Sequence, residues 1–328
     1  MFYLRPRRKG PFCSLIMSRR LKLKKVVYLI FALSLIFVMS LSLGSSCEEE
    51  GNVVDDLGRA VSIEETPERI VSLAPSCTEI LFALGLEDRV VGVTEYCDYP
   101  EEAKSKEKVG GFSTVDLEKV VAADPDLILV TSMHEAETIP ALENLGLTVV
   151  ALAPETIEDI LNDILLVGDF TDTRSVAQGL VRDMRRRIAN ITDKTATLTQ
   201  DERPWTLYVT WHDPIWTVGK GSTTHELIEN AGGINVARDI NRNGTIDRES
   251  AVARNPEVII AGEGHGSAAD APFHWAKTND VMSEVDARTN DRIYQVNADL
   301  ATRGGPRIVE GLEWFAYFLH PDLFAAPA

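Results

Sequence analysis

A segment of 14 residues occurs twice in this chain, and the duplication constrains the fold more than any other feature. Residues 117–130 read LEKVVAADPDLILV, and residues 248–261 read RESAVARNPEVIIA. Each copy has apolar residues at helical spacing, then a proline that cannot continue a helix, then an apolar run of the kind buried in a parallel sheet. The duplication therefore predicts two halves with the same architecture.

A strand and a helix precede the repeated segment in both halves. Their bounds are 69–74 and 76–84 in the first half, and 206–211 and 222–230 in the second. Glu79 and Glu226 fall at corresponding places in the two helices. Strands that alternate with helices at this spacing predict an α/β fold of two Rossmann-like lobes, each built on a mostly parallel central sheet.

One long helix is predicted between the halves. Residues 171–192 contain no proline, and their apolar side chains lie close to an i, i+4 spacing. A single rigid helix predicts lobes that rock by small angles and a ligand cleft between them. The predicted divisions are an export signal or membrane anchor (1–47), an N-terminal lobe (48–165), the connecting helix (166–195) and a C-terminal lobe (196–328).

Charge divides the chain into a basic leader and an acidic body. The first 46 residues carry nine Lys and Arg and no Asp or Glu, which leaves 24 basic and 50 acidic residues in the remainder, a formal charge of −26. A body this acidic is repelled by phosphate backbones, so we expect no nucleic-acid partner.

The leader has the order of an export signal, whether translation starts at Met1 or at Met17. Basic residues precede an apolar run over 26–43, and small residues lead to Cys47. Two anchors fit this order: a lipid on Cys47 after cleavage, or an uncleaved helix, because the run approaches the roughly 20 residues that span a bilayer. Either one predicts an extracytoplasmic protein that is held at the membrane.

Two cysteines, Cys77 and Cys97, belong to the exported body. An oxidising compartment allows them to form a disulfide. The alternative is a pair of small buried apolar side chains.

Three motifs in order resemble the helical-backbone class (class III) of periplasmic binding proteins. They are IVSLAPSCTE at 70–79, VGVTEYCDYP at 91–100 and NADLATRGGPR at 297–307. That class serves importers of cobalamin and ferric siderophores, and the similarity runs from about residue 55 to residue 324. The resemblance implies a solute-binding component that delivers its cargo to an ABC permease dimer with ATPase subunits. It implies neither an enzyme nor a cofactor.

Within this class, DPIWTVGK at 213–220 is most similar to the cobalamin binders. The resemblance implies a cleft that grips a corrinoid with aromatic walls and a few polar groups. Thr131 and Asn243 stand where the cobalamin binder has tryptophans, so a different corrinoid, a ferric siderophore or haem is the alternative cargo. The ligand-binding residues predicted in this way are Ser76, Tyr96, Phe112, Trp211, Trp216, Asp299 and Arg303.

Two glutamates occupy the same place in the duplicated segment, one in each half: Glu118 and Glu249. In the family, these positions resemble the acids that dock against arginines of the two permease subunits. The alternative is that both carboxylates only stabilise the first turn of a helix.

Two weaker patterns concern metals. Residues 239–247 resemble the start of a calcium loop, with oxygen ligands at Asp239, Asn241, Asn243 and Asp247, but the closing position is Ser250 and a polar turn is the alternative. The six histidines form no closely spaced ligand pair. His212, beside Trp211 at a strand end, is the first candidate for an axial ligand to the metal of a bound chelate.

An enzyme is the competing class of function, either hydrolytic or metal-dependent. The sequence has no GxSxG, GxGxxG or P-loop motif at a strand-to-helix turn, and no set of cysteines for a metal cluster. No histidine is placed by motif to activate Ser72 or Ser76. The sequence therefore favours binding over catalysis.

Overall fold

Two four-stranded parallel sheets organise the computed structural model, which describes residues 52–264 and 270–327. The leader, including Cys47 and both candidate anchors, lies outside the described residues. Within the described part of the chain, no helix has both the length and the apolar character needed to cross a membrane.

The first sheet belongs to the N-terminal lobe and has the strand order β4-β3-β5-β6. A short antiparallel hairpin precedes it. The strands are β1 (Asn52–Val54), β2 (Ala60–Ser62), β3 (Ile70–Ser72), β4 (Val90–Val93), β5 (Leu127–Val130) and β6 (Val149–Ala151). The helices between them are α1 (Pro75–Ala83), α2 (Leu117–Ala122) and α3 (Thr138–Asn144).

Two helices follow this lobe. α4 covers Ile157–Phe170 and α5 covers Arg174–Thr195. The sequence predicted one connecting helix from Thr171, but Thr171 instead ends α4, where its hydroxyl donates to the Val167 carbonyl at 2.6 Å. The segment 166–195 therefore contains a helix end, a tight turn and the long helix α5.

The C-terminal lobe repeats the first sheet with the order β10-β7-β12-β13 and adds a small antiparallel sheet, β11-β9-β8. Its strands are β7 (Trp205–Val209), β8 (Trp211–His212), β9 (Ile215–Val218), β10 (Ile234–Asn235), β11 (Asn243–Ile246), β12 (Val258–Glu263) and β13 (Ile293–Asn297). Its helices are α6 (Thr223–Asn230), α7 (Arg248–Ala253), α8 (Ala271–Thr278), α9 (Asp286–Thr289), α10 (Ala298–Thr302) and α11 (Ile308–Leu319).

The duplicated segment forms the same unit in both lobes. α2 and α7 begin after Asp116 and Asp247, whose carboxylates accept from the backbone N–H three residues later. After each helix the chain takes a positive φ, at Asp124 (48°) and Asn255 (42°), before the proline and the buried strand. The structure confirms the predicted α/β class with two lobes of matching strand order.

The apolar core holds the two lobes together through the long helix. The largest buried cluster includes side chains from both sheets and from one face of α5, at Ala177, Val181, Met184 and Ile191. Val176, which the sequence placed on the apolar stripe, is 47% exposed instead. At the start of α5, the buried face therefore contains Ala177 in place of Val176.

Candidate functional site

A cavity of about 630 Å³ opens between the lobes. From the N-terminal lobe it is lined by the segments that follow β3, β4, β5 and β6, and from the C-terminal lobe by the start of α6 and the segment after β13. The carboxyl ends of parallel strands meet at one edge of a sheet, which is where α/β proteins bind ligands. Five of the predicted ligand residues line this cavity: Ser76, Tyr96, Phe112, Asp299 and Arg303.

Tyr96 and Phe112 form one aromatic side of the cleft. Tyr96 is 55% exposed. Phe112 is held from behind by His134, whose ring meets it edge-on with 5.4 Å between centroids. Nε2 of His134 lies 2.8 Å from the Phe112 carbonyl oxygen, and burial lowers the pKa of this histidine. A neutral, buried imidazole thus fixes the position of the phenyl ring.

The hairpin of β8 and β9 supplies the opposite aromatic side. Trp211 and Trp216 are direct cross-strand neighbours and are 41% and 44% exposed. Trp216 lines a second cavity of about 400 Å³, which shares five residues with the first, including Asn243 and Arg242, so the two form one continuous cleft. Trp211, its cross-strand neighbour, is not among the described residues that line either cavity. Met133, 59% exposed on the wall of the first cavity, was missed because nothing in its local sequence distinguishes it.

An ion-pair network forms the floor of the cleft and connects the lobes. Glu79, buried in α1, accepts from Arg307 at 2.6 and 3.0 Å and from Arg303 at 3.4 Å. Arg303 also pairs with Asp98 and Asp299, both at 2.9 Å. The sequence predicted only Asp299 and Arg303 here. The sequence did contain a signal for Glu79, namely its position, which matches that of Glu226 in the other half. A buried carboxylate needs a partner, so the matched acids indicated contacts of this kind.

A second ion pair crosses the cleft nearer to solvent. Arg242, in the loop before β11, pairs with Glu155 of the N-terminal lobe. Both side chains are about half exposed, at 52% and 56%. The sequence offered no signal for this contact, because both residues lie in irregular loops.

The structure corrects two sequence-based interpretations. Cys77 and Cys97 are two buried free thiols, so the disulfide is absent, and burial raises the pKa of Cys77. The segment 239–247 is not a calcium loop, because Asp239 pairs with Arg254 at 2.5 Å, Asp247 caps α7, and Asn243 begins β11. In the described part of the chain, no group of three His, Cys, Asp or Glu side chains is arranged to hold a metal ion.

His212 lies in the hairpin of β8 and β9, next to Trp211. Its ring packs 4.7 Å from Trp211 and 6.3 Å from Trp275, and its Nδ1 is buried without a hydrogen-bond partner. His212 is not among the described residues that line the two cavities of the cleft. Its assignment as an axial ligand stays a prediction.

Glu118 and Glu249 lie in the first turns of α2 and α7 and are exposed. The capping hydrogen bonds of these helices come from Asp116 and Asp247 instead. Neither glutamate is needed as a cap, and both are free to meet another surface. Their role in docking stays a prediction.

Two lobes of matching strand order, joined by one long helix and separated by an aromatic cleft, form an architecture that can hold a solute between the lobes. Residues 70–300 match the family model described as periplasmic binding protein, and the chain belongs to this family.

Relatives and a solved structure agree with that assignment. The chain is 35% identical to the ABC transporter substrate-binding lipoprotein YvrC of Bacillus subtilis, over 83% of this chain and 86% of the relative. It is 30% identical to the vitamin B12-binding protein of Vibrio cholerae, over 77% and 89%. The crystal structure of the periplasmic vitamin B12 binding protein BtuF of Vibrio cholerae superimposes with a TM-score of 0.69 at 28% identity, covering 78% of this chain and 98% of that one.

Proposed function

We propose that this protein is the extracytoplasmic solute-binding component of an ABC importer and that its cargo is cobalamin or a related corrinoid. The observation that carries the proposal is the cleft, which lies at the carboxyl ends of both sheets between two aromatic sides. Aromatic rings and neutral polar groups suit the broad, amide-bearing surface of a corrin. The vitamin B12-binding relative supports the same cargo.

Tyr96, Phe112 and Trp216 supply the aromatic contacts in this proposal, and Trp211 extends them. Ser76, Asp299 and Arg303 meet polar edges of the cargo. The protein holds its cargo without transforming it and needs no cofactor. The Ser72 hydroxyl supports this view, because it is bonded to Thr78 and to the Ala74 carbonyl inside the lobe.

The proposal includes an anchor and a partner at the membrane. The N-terminal segment holds the protein at the outer face of the cytoplasmic membrane, by a lipid on Cys47 or by an uncleaved helix. The name of the lipoprotein YvrC supports the lipid. Glu118 and Glu249, one from each lobe, meet cationic groups on the permease dimer, which transports the cargo with its ATPase subunits.

A ferric siderophore or haem is the competing cargo. Thr131 and Asn243 line the cleft at the two positions where the resemblance implies tryptophans. The aromatic area is therefore smaller than the resemblance implies, and it fits a smaller chelate as well.

Titration of the purified protein tests the cargo. Cyanocobalamin, dicyanocobinamide, haem and several ferric siderophores are added in turn, and absorbance and tryptophan fluorescence are followed. We expect a corrinoid to bind and Trp216→Ala or Tyr96→Ala to weaken binding by about tenfold or more. The control is Phe324→Ala, which removes an aromatic ring that packs on Lys194 at the end of α5. Binding of haem or a siderophore with no response to corrinoids selects the competing cargo.

A further inference from the structure

The charged side chains that line the two cavities of the cleft are few and mutually paired. They are Glu155, Arg242, Asp299 and Arg303. The rest of the lining is mainly hydroxyl, aromatic and apolar. In the first cavity, the small neutral hydrogen-bonding side chains are Ser76, Ser113, Thr131, Ser132, Thr223, Thr302 and Asn243.

Arg303 is already paired with three carboxylates of the protein. Its Nη1 lies 2.9 Å from Asp98 and 3.4 Å from Glu79, its Nε lies 2.9 Å from Asp299, and its side chain is 11% exposed. With Arg307 included, this floor holds three carboxylates and two guanidinium groups, a formal charge of −1. An incoming carboxylate therefore finds no uncompensated positive charge there.

Arg242 is the lining cation nearest to solvent, and Glu155 of the opposite lobe pairs with it. Glu155 already compensates the charge of this guanidinium, so a ligand carboxylate competes with Glu155 for it. An uncharged amide or hydroxyl can accept a hydrogen bond from Arg242 without that competition.

We infer that the cleft selects its cargo by charge, with Glu155 as the residue that sets the selection. It accepts a chelate with an uncharged, amide-bearing periphery and rejects one with peripheral carboxylates, because its arginines are already neutralised by the protein. This inference rests on the proposed function and names the chemical class that the same cleft prefers. The net negative charge of the body adds a long-range repulsion of anionic ligands.

Two tetrapyrroles that differ only at their two propionates provide the test: haem, in which both are free acids, and haem dimethyl ester, in which both are uncharged methyl esters. Both are titrated into the purified protein beside cyanocobalamin. We expect the ester to bind more tightly than the free acid. Glu155→Gln should tighten binding of the free acid by about three- to tenfold more than binding of cyanocobalamin or the ester, because the uncompensated charge of Arg242 then attracts the carboxylates of the free acid.

The matched control is Glu158→Gln. It removes the same charge three positions along the chain, where the carboxylate pairs with Arg185 of α5 and lines neither cavity of the cleft. Equal effects of the two variants on the free acid, or tighter binding of the free acid than of the ester by the unmodified protein, overturn the inference and leave the proposed function standing. Binding of none of the three compounds overturns the proposed function and the inference with it.

Discussion

Glu79 shows how one buried side chain connects the two lobes. Its side chain is 2% exposed, and the guanidinium of Arg307 meets both of its carboxylate oxygens. Arg307 also stacks on Tyr99, with its guanidinium carbon 3.8 Å from the ring centroid. A buried charge that loses its partner costs several kcal/mol, so this residue is sensitive to any change.

Glu79→Gln should lower the free energy of unfolding by about 2–4 kcal/mol, because Arg303 and Arg307 then keep their charge in a buried site without their central carboxylate. Urea unfolding followed by tryptophan fluorescence measures the loss. Glu68→Gln is the control: its carboxylate is 69% exposed and lies 3.6 Å from Arg89, so a change below about 1 kcal/mol is expected. Equal effects of the two variants would show that the floor network contributes no more than a surface ion pair.

Asp163 is a carboxylic acid that the fold keeps protonated. Burial in α4 and then the neighbouring Asp56 raise its pKa to about 9, and its Oδ2 has no hydrogen-bond partner. The folded state thus favours the protonated form. Below a pH of about 4, the pKa of this group in the unfolded chain, its ionisation does not lower the free energy of unfolding. As pH rises from there toward 9, its contribution to stability becomes less favourable.

Asp163→Asn should therefore stabilise the protein, with a gain that grows from pH 5 to pH 8 and reaches about 1–3 kcal/mol. Thermal melts at both pH values measure the gain. Asp169→Asn, an exposed acid of the same helix that pairs with Arg174, should show no such trend. A gain that is equal at the two pH values would contradict protonation of Asp163.

At the scale of single helices and strands, the sequence predicted the elements whose formation depends on local chemistry. The duplicated segment folds into matching helices and strands because its caps, prolines and apolar runs act within a few residues. The hairpin of β8 and β9 was not predicted, since the tryptophans at 211 and 216 face each other only when two short strands pair. The end of α4 was missed because Thr171 and Asp172 resemble a helix start as closely as a helix end.

The contact between α4 and α5 depends on a glycine. A Cβ atom at Gly168 would lie 2.4 Å from the Cβ atom of Ala177, whereas a Cβ atom at Gly179 of α5 would meet only the end of Arg182 at 3.9 Å. Replacement of glycine by alanine should therefore have opposite effects on stability at the two sites.

Gly168→Ala should destabilise the protein by about 1–3 kcal/mol, because the two helices have to separate. Gly179→Ala should stabilise it by about 0.5–1 kcal/mol, because alanine restricts the unfolded chain and favours a helix. Urea unfolding of both variants measures the difference. Stabilisation by both would show that the helices already have room at Gly168.

At the scale of the whole molecule, the two lobes reach across to each other in a similar way. Glu79 of α1 binds the arginine just before α11, and Glu226 of α6 accepts from the Ile157 N–H that begins α4 at 2.8 Å. Each lobe thus offers a glutamate from its first helix to the start of a helix that follows the last strand of the other lobe. The sequence revealed the matched glutamates, but not their partners, because contacts between lobes depend on how the halves pack.

The matched acids of the two lobes give the prediction that belongs to the whole molecule. Glu118→Gln combined with Glu249→Gln should leave cargo binding within about twofold, since neither residue lines the cleft. Uptake of labelled cobalamin by cells should fall to background, with each single variant intermediate, because the charge contacts that orient the protein on the permease are lost from both sides. The control replaces one exposed acid in each lobe, Glu65 and Glu284, by glutamine and keeps the same net charge. Full uptake by the Glu118 and Glu249 double variant would remove the docking assignment, whereas loss of cargo binding would place these residues in the fold or the cleft instead.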